Sequence, residues 1–93
     1  MKIVYTDHLK LRLQIRKIPF EYPKIILENP ENSFFDLSDN RRIAIKRLKY
    51  NGKLRDLMIA YDITDNRIEI ITIHPISNEK IINRMMSGRW LKK

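Results

Sequence analysis

The chain has 93 residues, 43% hydrophobic and 32% charged, with no Cys and two Gly. One core burying roughly 60% of the unfolded surface is expected at this length, and the composition excludes a disordered or fibrous chain, disulfides, thiolate metal sites and cysteine nucleophiles. Nineteen Lys and Arg against eleven Asp and Glu leave a charge of +8, so an anionic partner is expected.

Residues 2–5 read as a short strand, and residues 1–5 are too short and too polar to be a signal-peptide core. Residues 7–17 are ambiguous. Leu9, Leu11, Leu13 and Ile15 alternate as a strand would, but Leu, Lys, Arg and Gln favour a helix that Thr6 or Asp7 can cap. The helix is preferred, ending at Ile18 because Pro19 follows. It would put Leu9 and Leu13 on one side and Leu11, Ile15 and Ile18 on the other, gripped from both. Pro23 suits the first turn of a second short helix, Pro23–Glu28, which Asn29-Pro30 stops.

Residues 33–38 form a brief apolar run around Phe34, Phe35 and Leu37, closed by an Asp39-Asn40 turn. Residues 41–50 read as a strand whose apolar parity changes between Ile43/Ile45 and Leu48/Tyr50, predicting a bulge near Lys46-Arg47. Asn51-Gly52 is a type I′ hairpin signal. Strand 53–63 follows, apolar on both faces, then an Asp65-Asn66 turn and strand 67–74, ended by Pro75. Ser77 caps a last helix, 78–86, with Ile81, Ile82, Met85 and Met86 as its stripe, and Gly88 terminates it. The expectation is a single α+β domain over residues 1–93: two N-terminal helices packed on a four-stranded antiparallel meander, plus a C-terminal helix. No run reaches the ~18–20 apolar residues needed to span a bilayer, and the protein is expected to be cytoplasmic.

The charge is clustered. Residues 41–55 hold seven cations (Arg41, Arg42, Lys46, Arg47, Lys49, Lys53, Arg55) and no acid. Such clustering suits a polyanion, because each phosphate contact releases condensed counterions. In a helix, His8, Arg12 and Arg16 share one stripe. That stripe either holds a phosphate with two guanidiniums while His8 moves a proton, or it is structural, with the arginines paired to Glu21, Glu28 or Asp36. Arg84 and Arg89 add cations near the end. Trp90 stacks on a base, anchors the tail in the core, or lies in a homodimer interface. Metal sites look poor: there are two His and no close His–acid ligand spacing, and no cofactor is expected.

Metal-free RNA cleavage needs a base for the 2′-hydroxyl, an acid for the leaving 5′-oxygen, and cations around the phosphorus. His74 and Tyr61 are candidates for the first two roles; Lys46, Arg55 and Arg84 for the third. Pairing centred on Asp65-Asn66 would bring Tyr61 to Ile70 and His74 to Leu57, several residues apart along the sheet.

Thr6-x-His8-x-x-x-Arg12-x-x-x-Arg16, Ile18, Asn29-Pro30 and the closing Ile71-Thr72-Ile73-His74-Pro75 resemble a family of small prokaryotic domains of unknown function, similar to the RelE/ParE-like toxins that include the BrnT type. The resemblance covers roughly residues 3–75, with His74 where that family usually has an aromatic. It implies a toxin of a toxin–antitoxin pair, a metal-independent endoribonuclease acting on mRNA, often on the ribosome, with an acidic antitoxin as partner. The other reading is a non-catalytic basic module that binds nucleic acid or an acidic protein.

Overall fold

The computed structural model describes every residue, Met1–Lys93. Its elements are β1 (Lys2–Tyr5), α1 (Asp7–Arg16), α2 (Tyr22–Glu28), β2 (Asn32–Asp36), β3 (Arg41–Tyr50), β4 (Lys53–Thr64), β5 (Arg67–Pro75), α3 (Asn78–Met86) and β6 (Trp90–Lys92). The strands make one six-stranded sheet in the order β1-β5-β4-β3-β2-β6. This corrects the expected four-stranded antiparallel meander. The meander β2–β5 exists, but β1 adds to its β5 side in parallel, and β6 adds antiparallel to β2 at the other side. The sheet is therefore mixed. β1 is the short strand read at residues 2–5, but its parallel place beside β5 is set by tertiary pairing; β6 is too short for period-2 alternation to reveal it.

The two faces of the sheet carry separate cores. On one, Leu9 and Leu13 of α1, Ile18 and Ile26 of α2 pack on Ala44, Leu57, Ile59, Ile70 and Ile73. On the other, Ile81 of α3, Ile76 and Trp90 pack with Phe34, Ile43, Ile45, Met58 and Ala60. The sheet is thus sandwiched, which explains why β4 is apolar on both faces.

Local chemistry accounts for the helix ends. Thr6 caps α1 by accepting from Leu9 N, and its hydroxyl also donates toward Ile70 O and Ile71 O at 3.1 and 3.3 Å. Lys17 closes α1 in the left-handed region, φ 53°, with its N–H on Gln14 O and Leu13 O. Ser77 caps α3 by accepting from Lys80 N. The expectation that α1 is gripped on two sides is overturned: Leu9 and Leu13 are buried, whereas Leu11 and Ile15 are exposed. Ile18 reaches the core only because the chain turns after Lys17.

The bulge also lies elsewhere than expected. Pairing of β3 with β4 runs unbroken from Arg42↔Tyr61 to Tyr50↔Lys53. No bulge is needed at Lys46-Arg47, because Ala44, Leu48 and Tyr50 face the α1/α2 layer while Ile43 and Ile45 face α3. The parity change marks only where one covering layer gives way to the other. The irregularity is between β4 and β5, where Ala60 pairs with Thr72 but Tyr61 pairs with Ile70. Ile71 is the extra residue. It lets Ile70 and Ile73, three apart, both face the α1/α2 core, and it turns Thr72 and His74 toward α3.

Candidate nucleic-acid interface

The bulge positions the most chemically suggestive residue. In an unbroken register His74 would oppose Leu57, whose side chain is fully buried under α1 and α2. Instead His74 opposes Met58, and so enters a cleft of about 230 Å³ between the sheet and α3. Ile43, Met58, Ala60 and Thr72 make its sheet floor, α3 supplies Lys80 and Arg84, and Arg89 with Asp36 closes one end. It is smaller than the ~300 Å³ lower bound usual for drug-sized ligands, a scale suited to a phosphate group.

His74 is held in a defined tautomer. Its Nδ1 lies 2.9 Å from Pro75 O. A carbonyl can only accept, so Nδ1 carries the proton and Nε2 keeps its lone pair. Burial pushes the imidazole below its ordinary 6.5; the Pro75 bond opposes this, and Arg16, Lys80 and Arg84 push it further down. The ring is neutral at pH 7 and can accept a proton at Nε2. Lys80 and Arg84 stand one helical turn apart on α3. Neither forms an ion pair, and the Arg84 guanidinium lies 5.6 Å from the centre of the Trp90 ring.

Other expected site residues are distributed differently. Tyr61 lies on the opposite face from His74, packed against the α1/α2 core, where burial raises its pKa against the opposing charge of Arg42. It cannot act with His74 on one bond. His8 is exposed on α1, its Nε2 accepting from Arg12 Nε at 3.3 Å, and it does not line the cleft. Of the helix stripe, only Arg16 is close enough to act on His74. The basic stretch 41–55 is split by strand alternation. Arg41 and Arg47 face the α3 side, paired with Asp62 at 3.4 Å and Asp56 at 3.5 Å. Arg42, Lys46 and Arg55 face the other, where Arg55 lies over Tyr50 at 5.9 Å.

Arg89 is committed to structure. Its Nε and Nη2 donate to the two oxygens of Asp36 at 3.0 and 3.1 Å, and Nη2 also donates to Asp39 at 3.2 Å. Asp36 additionally accepts from the backbone of Ser38 and Asp39. Burial pushes the Asp36 carboxyl up, but the Arg89 and backbone bonds outweigh it and leave the carboxyl below its ordinary 3.8. Trp90 is 2% exposed and lies 5.2 Å from Phe34, ring centre to ring centre. Its role is core packing, not base stacking. Its Nε1 makes no hydrogen bond within the chain; it approaches Asp36 outside bonding geometry, near enough to favour the charged carboxylate.

Lys80, Thr72 and Asp36 did not stand out in the sequence as cleft residues. The i, i+4 spacing of Lys80 and Arg84 was a readable signal. No helix is long and apolar enough to cross a membrane. No family model matches this chain, and no curated protein or solved structure is significantly similar to it.

Proposed function

We propose that the protein binds RNA, that the cleft between α3 and the sheet takes a phosphodiester, and that His74 serves there as the base of a metal-independent transesterification. The observation that carries this reading is a neutral imidazole with Nε2 free, beside two cations, Lys80 and Arg84, that no acid neutralises. The net charge of +8 supplies the long-range attraction for a polyanion.

Nε2 removes the 2′-hydroxyl proton, the 2′-oxygen attacks phosphorus, and the bond from phosphorus to the 5′-oxygen breaks. Lys80 and Arg84 neutralise charge on the non-bridging oxygens. The leaving 5′-oxygen takes its proton from Lys80, since arginine does not release one. The products are a 2′,3′-cyclic phosphate and a free 5′-hydroxyl. Such a toxin-type endoribonuclease would have an acidic antitoxin as its natural inhibitor.

The test is cleavage of a labelled RNA in EDTA, with ends analysed. His74→Ala should slow cleavage by roughly 10²–10⁴-fold with the fold intact. A strict magnesium requirement, or full activity in His74→Ala, refutes the chemistry. Salt-sensitive binding without any cleavage leaves a non-catalytic RNA-binding module.

A further inference from the structure

The side of the molecule away from the cleft carries a second surface. β1 is an edge strand, since β5 is its only neighbour in the sheet. Lys2 N donates to Asn66 O at 3.1 Å and Thr6 N to Ile70 O at 3.3 Å. Residues of that parity face β5, so Ile3 and Tyr5 turn their N–H and C=O groups outward, in position to pair with another strand.

Beside this edge lie two hollows, of about 810 and 510 Å³, that share Phe20 and Lys10 and so form one groove. Its apolar lining includes Ile3, Tyr5, Phe20 and Leu11. Phe20 is 62% exposed and Leu11 52%, large values for apolar side chains standing together. The floor is pre-formed. The Tyr5 and Phe20 rings lie 4.7 Å apart, and the Tyr5 hydroxyl donates to Phe20 O at 2.8 Å while accepting from Lys24 N at 3.2 Å.

The rim decides the occupant. Lys2, Lys10 and Lys24 line the groove without an ion-pair partner, while Arg67 is already paired with Glu69 at 3.2 Å. Glu28 and Asp7 are the acids present. A second copy joined edge to edge about a two-fold axis would bring these lysines against their own equivalents, on chains of charge +8 each. Lysines along an edge oppose self-pairing for that reason. RNA suits the charge and a base can stack on Phe20, but only an extended peptide matches the alternating outward N–H and C=O groups of Ile3 and Tyr5 along the edge. We infer that β1 and the Phe20 groove are a docking site for an acidic extended segment of a partner protein, which adds as a strand to β1. Its backbone pairs with Ile3 and Tyr5, its apolar side chains lie on Phe20 and Leu11, and its carboxylates meet Lys2, Lys10 and Lys24. The inference is independent of the cleft and stands whether or not the protein cleaves RNA.

The probe is a fluorescein-labelled, capped octapeptide alternating Val and Glu, titrated into the full chain, with the Val/Lys peptide as control. Saturable binding of the Glu peptide alone is expected. Phe20→Ala and the double variant Lys10→Glu/Lys24→Glu should each weaken it about tenfold or more; the second variant alters only exposed charges, so it reports even if the first is unstable. Amide exchange at Ile3 and Tyr5 should slow on binding. The inference is overturned by absent binding, by equal binding of the Lys peptide, or by unchanged exchange at Ile3 and Tyr5. A homodimer in sedimentation equilibrium that Phe20→Ala dissolves would assign the edge to a second copy and overturn it as well.

Discussion

Replacing Arg89 by Met should be among the most damaging changes of a charged residue in this chain. Asp36 is 2% exposed and stays ionised because Arg89 gives it two hydrogen bonds, at 3.0 and 3.1 Å. Met keeps most of the side-chain volume but leaves the carboxylate with only the Ser38 and Asp39 amides. Breaking a fully buried pair costs ~3–5 kcal/mol. The Arg89 side chain is 32% exposed, so water reaches the site and the expected loss is about 2–3 kcal/mol. At ~4–8 °C per kcal/mol for a domain of this size, the melting temperature should fall by about 10–20 °C. Arg41→Met is the control. Its pair with Asp62 is 3.4 Å long and 41% exposed on the arginine, so its loss should cost below ~1 kcal/mol. Thermal and urea unfolding followed by circular dichroism read both. The gap between wild type and Arg89→Met should also depend on pH. The folded Asp36 carboxyl lies below 3.8, so its contribution is present above that value and is lost as pH falls through the folded pKa. The gap should therefore close in acid. Equal losses in the two variants, or a gap that persists below the folded pKa, would refute the assignment of Arg89 and Asp36 as the structural clasp.

The cleavage rate should rise with pH along a limb centred below 6.5, because the neutral His74 is the active form and its pKa is depressed; a limb above 6.5 contradicts the burial and charge argument. Folding stability should show the same direction: the unfolded chain binds the His74 proton more readily, so stability falls as pH drops through the folded pKa. Lys80→Glu with Arg84→Glu should flatten the log–log salt dependence of RNA binding by about 0.7 for each phosphate that is no longer neutralised. Trp90→Ala should cost ~3–5 kcal/mol by opening a cavity under Phe34, and the loss would show in melting even where no RNA is present.

The helices and the meander were legible because they rest on local chemistry: Thr6 and Ser77 as caps, Pro23 at a first turn, Asn51-Gly52 with both residues at positive φ. The six-stranded sheet was not. Residues 2–5 read as a strand but gave no sign of their parallel partner β5, and the three residues of β6 carry no period to read; both pair with segments distant in the chain. For the site, charge pointed to the basic segments but could not say which cations are free. Strand alternation splits residues 41–55 between two faces, and Arg89, which looked available for RNA, is held by two carboxylates. His74 was recognised, yet regular pairing counted from Asp65-Asn66 sets it opposite Leu57, and nothing in Ile70-Ile71-Thr72 announces an irregularity there.

Alternation along a strand is a two-state count, and Ile71 advances it by one. Ile68 and Ile70 before it and Ile73 after it all face the α1/α2 core, which unbroken alternation could not give. Drawing Ile71 into regular pairing would leave the composition unchanged, yet it would set His74 opposite Leu57 among aliphatic side chains and move Ile73 to the α3 face. Loops in this fold can absorb a change of length by bending. At this point pairing one more residue becomes a change of side, so the site and the core are set by the same single-residue offset, and neither can drift in register without the other.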